Sequence, residues 1–205
     1  MKGKLVFTAA LLCLALSAPL SLFGQDFQIE GTTLVKYNGN AANITIPSGV
    51  TIIGDYAFAE CAGLASVTIP LGVVSIGIAA FAECISLTSI TIPSGVTTIG
   101  YGTFSGCLSL TSVTIPSSVT AIGEGAFSEC SSLANIIIPS GVISIGVAAF
   151  GGCGSLTSIT IPPSVASIGD IAFADCVSLR TVTVSRRTAI GKDTFPSAAQ
   201  ITYSD

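Results

Sequence analysis

The chain has 205 residues, of which 50% are hydrophobic and 9% charged, and it contains no histidine. Without an imidazole it lacks the residue on which Ser-His-Asp and Cys-His catalytic pairs and His-ligated metal sites depend. Its 7 basic and 11 acidic residues give a net charge of −4, which argues against the basic surface that nucleic-acid binding requires.

The first 24 residues have the pattern of a secretory signal peptide. Lys2 and Lys4 precede a predominantly apolar run over residues 5–23, and the small Gly24 precedes the polar Gln25. We expect cleavage after Gly24, so that the mature chain is exported to the cell surface, the periplasm or the medium. An uncleaved anchor is the alternative, because about 19 apolar residues approach the ~20 that span a bilayer.

The rest of the chain is dominated by one unit that recurs every 23 residues. A fixed period of this length indicates a solenoid, in which each unit forms one coil stacked on the next. One unit reads L-x-x-[IV]-x-[IV]-P-x-x-V-x-x-I-G-x-x-A-F-x-x-C-x-x. The proline column comprises Pro47, Pro70, Pro93, Pro116, Pro139 and Pro162. The cysteine column comprises Cys61, Cys84, Cys107, Cys130, Cys153 and Cys176.

Each unit begins with the alternation of a half-buried β-strand. In the second unit the apolar Val67 and Ile69 alternate with the polar Ser66 and Thr68. The following Pro70 has no N–H for a ladder hydrogen bond and therefore marks the end of the strand. We predict one strand per repeat, joined to its neighbours by ladder hydrogen bonds.

A glycine follows the isoleucine in the second half of every unit. We expect a side chain there to obstruct either a positive φ or a close approach of the backbone. The spacing of Ile76, Ala80, Phe81 and Cys84 is near four and three residues, which predicts a short helical or 3₁₀ turn on this arm. The glycine column comprises Gly54, Gly77, Gly100, Gly123, Gly146 and Gly169.

Both ends of the array depart from the repeat. Residues 27–40 break the register and place apolar side chains around Gly31 and around Asn38-Gly39, which suits a β-hairpin cap. At the other end Ser185 takes the proline column, and residues 201–203 suit a last edge strand. We therefore divide the chain into a signal peptide (1–24), an N-terminal β-hairpin cap (25–40), the repeats (41–184) and a C-terminal cap (185–205).

The columns resemble the BspA-like leucine-rich repeats of bacterial surface proteins, whose unit has the same order of Leu, Pro, Ile-Gly, Ala-Phe and Cys positions. The resemblance extends over about residues 27–205. It implies a right-handed leucine-rich-repeat solenoid with parallel β-strands on the concave side and short helical or 3₁₀ turns on the convex side. It also implies export to the cell envelope and attachment to host proteins or other cells. The family has no catalytic motif to carry over, so we expect a protein that is not an enzyme.

The six cysteines of the repeat occupy one column, which bears on their chemistry. Six thiols in an exported protein would ordinarily suggest three disulfides. A disulfide, however, needs Cβ atoms about 3.5 to 4.5 Å apart and directed toward each other, whereas copies in one column point the same way. We therefore predict reduced, buried thiols that serve as small apolar residues. The chain has no C-x-x-C pair, which argues against a metal site, and we expect no cofactor.

Charged residues are distributed unevenly along the array. Residues 39–178 contain no Lys or Arg, and the acidic residues that directly precede the cysteines form a broken stripe. We favour a solvated stripe over a Ca²⁺ site, because Ca²⁺ takes about six to eight oxygen ligands and only Glu60 and Glu83 come from neighbouring units. Near the C-terminus we favour a solubilising basic edge over contact with an acidic partner or another copy. The acidic stripe is Glu60, Glu83, Glu129 and Asp175, and the basic cluster is Arg180, Arg186, Arg187 and Lys192.

The outward strand positions are the best candidates for a binding surface. Short polar side chains occupy them, and Ile137 alone interrupts the threonine column. Threonine also suits exposed strands without any ligand, so a purely structural role is the alternative. Seven strands at ~4.8 Å by three residues at ~3.3 Å give roughly 300 Å², below the ~800 Å² per partner of a standard interface. The candidate binding residues are Ser66, Thr68, Ser89, Thr91, Ser112, Thr114, Asn135, Ser158 and Thr160.

These observations favour an exported cell-surface or secreted module that mediates adhesion or protein–protein interaction through the concave strand face. Its small area favours weak, multivalent contacts with a host matrix protein, another cell-surface protein or a second copy. The first alternative is a structural or self-associating envelope protein without a dedicated ligand. An ice- or mineral-surface binder is a further alternative, because a regular threonine array can match a lattice. We expect no nucleic acid and no small-molecule substrate.

Overall fold

The computed structural model describes residues 26–204, so the predicted signal peptide lies outside the described residues. These residues form a parallel-strand β-solenoid of about seven turns. The chain enters through an antiparallel hairpin of β1 (Phe27–Glu30) and β2 (Thr33–Tyr37), joined at Gly31 with a φ of 62°. β2 then pairs in parallel with β4 (Ile52–Ile53) and so leads directly into the stack of coils.

The strands that carry the S-x-T segments stack into one ladder, which we call the face ladder. Alternation of apolar and polar residues places the middle residue of each strand toward the core and its neighbours toward solvent. The face ladder consists of β3 (Asn43–Thr45), β5 (Ser66–Thr68), β7 (Ser89–Thr91), β9 (Ser112–Thr114), β12 (Ser158–Thr160), β14 (Thr181–Ser185) and β16 (Gln200–Ser204).

A second ladder, which we call the flank ladder, begins with β2 and continues through the strands that directly precede the glycine column. Its further strands are β4 (Ile52–Ile53), β6 (Ser75–Ile76), β8 (Thr98–Ile99), β10 (Ala121–Ile122), β11 (Ser144–Ile145), β13 (Ser167–Ile168) and β15 (Ala189–Ile190). The prediction of one strand per repeat is therefore wrong, because each full repeat turn also contributes this two-residue strand. The alternation of Ser75 outward and Ile76 inward is too short to be distinguished from a turn in the sequence.

Strands within both ladders pair in parallel with equivalent residues of the neighbouring coil. Asn43 pairs with Ser66 in the face ladder, and Ile53 pairs with Ile76 in the flank ladder. The face ladder divides into the sheets β3-β5-β7-β9 and β12-β14-β16. The flank ladder divides into β2-β4-β6, which β1 extends by its antiparallel pairing with β2, and β8-β10-β11-β13-β15. The 23-residue period thus sets the register of the pairs within the repeats, whereas the pairs β2–β4, β13–β15 and β14–β16 at the two ends join residues that are closer in sequence.

The predicted helical or 3₁₀ turn is not present, and the arm from the glycine to the cysteine is a series of turns within residues 26–204. Some of its backbone N–H groups donate to the next coil, and others donate within the same arm. Phe81 N donates to Thr103 O of the next coil, whereas Cys84 N donates to Phe81 O within the same arm. Residues with positive φ, such as Ala79 at 49° and Glu83 at 57°, also interrupt a helical path. Over the same residues no helix is long and apolar enough to cross a membrane.

The interior consists of stacked columns of identical or similar side chains. Phe58, Phe81, Phe104, Phe127, Phe150 and Phe173 are completely buried. Together with Phe27, Tyr37 and Phe195 they form one aromatic column, whose successive ring centroids are 4.8 to 5.5 Å apart. The leucine and valine columns are buried beside it. Each coil therefore completes its core only by contact with the coils on either side.

The glycine column marks close approach between coils. A Cβ on Gly146 would lie 2.5 Å from Glu124 N and 2.6 Å from Gly123 C, and a Cβ on Gly169 would lie 2.5 Å from Val147 N. Neither glycine has a positive φ. Of the two explanations that the sequence left open, close backbone approach applies at these positions, whereas a Cβ on Gly100 would meet only Thr103 Oγ1 at 3.6 Å.

Candidate binding face

All the candidate binding residues lie on one side of the solenoid, eight of them on strands of the face ladder and Asn135 on the segment between β9 and β12. We call the outward side chains of this side the threonine face. They lie on successive coils, and every candidate among them is exposed except Ser66, which is half-buried. Ladder pairing places Ser89 beside Ser112 and Thr91 beside Thr114. Farther along the solenoid, Ser158 and Thr160 follow the same pattern against β14.

Most hydroxyl groups of the threonine face have no role within the fold. Ser66 Oγ donates a hydrogen bond to Asn43 Oδ1 at 2.6 Å. Within residues 26–204, the hydroxyls of Thr68, Thr91 and Thr114 make no hydrogen bond to another side chain or to the backbone. These groups are therefore free to donate to and accept from a bound molecule or solvent.

The face ladder is interrupted in the coil that contains Asn135. Across residues 134–138 the backbone makes no hydrogen bond to either neighbouring coil. The inward side chains nevertheless keep their places, since Ile136 and Ile138 remain buried. The candidate residue Asn135 thus lies on the same face, but on an unpaired segment between β9 and β12. Nothing in the alternation of residues 135–138 predicts this interruption.

Ile137 lies within this unpaired segment, and its apolar side chain is 83% exposed. A cleft of about 510 Å³ lies toward Thr114 and a second of about 460 Å³ toward Thr160, and Ile137 lines both. A flat polar face offers little apolar area, so an exposed isoleucine between two clefts is the strongest apolar contact point on it. The candidate set did not include Ile137, although its break in the threonine column was the available signal.

Exposed aromatic side chains lie elsewhere. Tyr56 and Tyr101 are exposed on the arm between the glycine and phenylalanine columns, and Tyr203 is exposed on the last strand. The threonine face therefore relies on hydroxyl groups and on Ile137.

The six cysteines of the repeat are unpaired in the structure, as the column argument predicted. Five are buried, and each donates its S–H to the carbonyl oxygen of a phenylalanine in the preceding coil, as Cys84 does to Phe58 at 3.1 Å. Burial raises the pKa of Cys107 and of Cys176 to about 12. These thiols therefore remain protonated and unreactive at neutral pH.

Cys61, the first of the column, is only half-buried. Burial raises its pKa, and the charge of Lys36 partly offsets that effect. It is the most accessible thiol of the column.

The acidic stripe lies on a column with a left-handed backbone. Glu60, Glu83 and Glu129 have φ values of 62°, 57° and 60°, and Gly106 and Gly152 occupy equivalent positions with 72° and 74°. The left-handed backbone accounts for the two glycines of this column, whereas it gives no reason for the glutamates. Among residues 26–204, no group of three or more acidic or cysteine residues is placed to share a metal ion.

Comparison with known proteins identifies the repeat. Residues 32–133 and 97–204 match the family model described as a BspA type leucine rich repeat region with 6 copies. No curated protein matches the chain.

Several solved structures have a similar fold. A leucine-rich repeat protein of T. pallidum, TpLRR, is 25% identical with a TM-score of 0.57, and the match covers 88% of this chain and 84% of that one. A leucine-rich repeat protein from Bacteroides ovatus is 24% identical with a TM-score of 0.56, covering 85% and 66%. The pneumococcal vaccine antigen PcpA is 21% identical with a TM-score of 0.60, covering 87% of this chain and 40% of PcpA.

Proposed function

Because the chain belongs to the BspA-type leucine-rich repeat family, we propose that it is an exported binding module whose threonine face engages a protein partner. The observation that carries the proposal is the set of exposed hydroxyls, such as those of Thr68, Thr91 and Thr114, that serve no contact within the fold. Solenoids present such repeated surfaces over a long stack of coils, which suits contact with another macromolecule.

The size of the threonine face favours weak contacts that act together. Its seven strands correspond to roughly 300 Å², well below the ~800 Å² per partner of a standard interface. Within this face, Ile137 supplies an apolar anchor and the flanking clefts supply depth. Many copies displayed on one surface raise avidity without any further contact, and adhesion to a host matrix or to another cell is such a setting.

Export is the second part of the proposal. Its support is the signal-peptide pattern of residues 1–24. Protease treatment of intact cells is expected to remove a surface-displayed chain while cytoplasmic proteins persist. Full protection of the chain in intact cells, together with its absence from the medium, contradicts display on the surface and secretion alike.

Binding is tested with the purified chain on immobilised extracellular-matrix proteins and on whole cells. We expect saturable binding that the substitution Thr91→Lys weakens by roughly tenfold, because it places a long charged side chain in the centre of the threonine face. Absence of binding to matrix proteins and to cells contradicts the proposed adhesion.

The matched control is Thr98→Lys. Thr98 lies in the same coil as Thr91 and is also exposed, but its strand belongs to the flank ladder. We expect this variant to bind as the unmodified chain does. Equal loss in both variants assigns the effect to charge alone and contradicts a role for the threonine face.

A further inference from the structure

We propose that residues 134–138, which we call the strap, alternate between the open state of this structure and a closed state that is paired into the face ladder. In the closed state the two halves of the face ladder, β3-β5-β7-β9 and β12-β14-β16, form one continuous sheet. The inference concerns the chain by itself and requires no bound partner.

Hydrogen bonds hold the chain on both sides of the strap in the register of the stack. Ser132 N donates to Leu108 O at 3.2 Å, and Ile143 N donates to Thr120 O at 2.8 Å. The following coil is attached in the same way, since Ala166 N donates to Ile143 O at 2.7 Å. In the flank ladder of the same coil, β11 pairs with both β10 and β13. The strap therefore lies opposite the residues with which closure would pair it.

The inward side chains of the strap already occupy their places in the core. Ile136 and Ile138 are buried, and they alternate with the exposed Asn135 and Ile137 as in any strand of the face ladder. Closure therefore requires no side chain to cross between core and solvent, and the register is already specified. Only the backbone of the strap has to approach its neighbours.

The strands on either side of the strap each leave one edge unpaired. Within residues 26–204, β9 pairs only with β7, and β12 pairs only with β14. Core residues at the edge of β9 are incompletely covered, since Val113 and Ile115 are half-buried. The equivalent Ile90 and Ile92 of the preceding coil are buried. Closure would cover this apolar surface, which favours the closed state.

Backbone hydrogen bonds that other coils make identify the closed state. After the S-x-T segment, Ile92 N donates to Thr114 O of the next coil at 3.0 Å. Before the segment, Thr111 N donates to Thr88 O of the preceding coil at 2.9 Å. Among residues 111–160 of the structure, the equivalent bonds of the strap are not made. By the 23-residue register, closure would join Ile115 N to Ile137 O, Ile138 N to Thr160 O, Ala134 N to Thr111 O and Thr157 N to Ala134 O.

Closure would also narrow the two clefts that Ile137 lines, because both lie between the strap and a neighbouring strand. A molecule that fills either cleft binds the open state and shifts the strap toward it. This consequence rests on the proposed function of the threonine face, whereas closure itself is a property of the free chain. The experiments below therefore contain no partner, and their outcome is separate from that of the binding assay.

Backbone ¹⁵N relaxation dispersion and amide hydrogen exchange of the unmodified chain test closure directly. We expect dispersion on the microsecond to millisecond timescale and partial protection at Ile115 and Ile138. The amides of Ile92 and Ile161, which make the equivalent hydrogen bonds in the paired ladder, are expected to show strong protection and no dispersion. Flat dispersion profiles at Ile115 and Ile138 overturn the inference, whether these amides are fully protected or fully exposed.

Two variants bias the strap in opposite directions. Ile137→Pro removes the N–H that closure would direct to Val113 O, so we expect it to hold the strap open and abolish the dispersion. Asn135→Ser with Ile137→Thr restores the S-x-T segment of the other coils. We expect this double variant to raise the protection of Ile115 and Ile138 by roughly two- to thirtyfold, because cross-strand Ser and Thr pairs favour the closed ladder.

The matched control is Thr183→Pro, which places the same residue at the equivalent position of β14. Thr183 O accepts from Ile161 N at 2.8 Å, so the N–H of Thr183 lies in the same paired joint and is lost in this variant. We expect the control to lower the urea unfolding midpoint clearly more than Ile137→Pro does. An equal loss in the two proline variants, or unchanged protection in the folded Asn135→Ser, Ile137→Thr variant, overturns the inference.

Discussion

At the level of single residues, members of the glycine column pack closely against the backbone of the preceding coil. Gly146 is a central member of the column, and a Cβ there would meet backbone atoms of Gly123 and Glu124. Backbone atoms have no rotamer by which to move away. The column thus sets the separation of the coils along the flank ladder.

We predict that Gly146→Ala destabilises the fold by about 1–3 kcal/mol, as overpacking of a well-packed interior does. The control is Gly72→Ala, where a Cβ meets nothing within 4 Å and φ is not positive. There we expect a neutral or slightly stabilising change, because alanine restricts the unfolded chain. Urea unfolding midpoints provide the measurement. Equal midpoints for the two variants would show that close approach does not explain the column.

The sequence was sufficient to identify this glycine column, but it did not distinguish between a positive φ and a close backbone approach as the cause. The positive φ values occur instead in two other columns, for example at Ala79 with 49° and Glu83 with 57°. Neither residue type signals a left-handed conformation, so composition alone does not reveal these positions. The cysteine column was more informative, since its 23-residue spacing already implied parallel, unpaired thiols.

At the level of elements, the face ladder combines regular pairing with one gap at residues 134–138. Alternation of apolar and polar residues predicted the strands of the face ladder, because inward positions must be apolar. The gap was not predictable from this signal, since Ile136 and Ile138 alternate as in every other coil. The candidate binding residues were predicted from the same alternation. The break in the threonine column was a sequence signal for Ile137, but the two clefts beside it are visible only in the structure.

We predict rapid hydrogen exchange at the amides of residues 135–137, compared with slow exchange at the equivalent residues 181–183. The physical reason is that the former make no ladder hydrogen bond, whereas β14 pairs with β12 on one side and with β16 on the other. Hydrogen-exchange mass spectrometry on overlapping peptides resolves the two segments. Equal protection of both segments would contradict the interruption.

The substitution Ile137→Thr extends the same experiment. It restores the threonine column between Thr114 and Thr160, and cross-strand threonine pairs contribute about 0.2–1 kcal/mol each. Protection of residues 135–137 is therefore expected to rise by roughly two- to thirtyfold. Ile143→Thr is the control, since Ile143 is an exposed isoleucine of the same coil outside the face ladder. A rise in both variants would point to a general effect of threonine.

At the level of the whole molecule, every coil depends on its neighbours because no coil encloses a core by itself. The buried phenylalanine, leucine and cysteine columns run through the stack, and each ladder pair joins two successive coils. Stability is then close to a sum of terms for each coil and each contact between coils. The same dependence explains why Ile201 and Tyr203, in the last strand described, are exposed although they extend buried columns.

This architecture predicts that one complete coil can be removed without loss of the fold. Deletion of residues 78–100 removes one 23-residue period and joins Gly77 to Tyr101, which takes the position of Ile78. All columns then remain in register, so we expect a folded solenoid whose urea m-value falls by roughly an eighth, in proportion to the surface buried.

Deletion of residues 78–88 removes fewer residues but shifts every later column by half a coil. We expect that shorter deletion to abolish cooperative unfolding, since the phenylalanine and glycine columns on either side of the junction no longer meet. Circular dichroism and urea titration of the two variants provide the comparison, and a cooperatively folded 78–88 deletion would show that register between coils is not what holds the stack together.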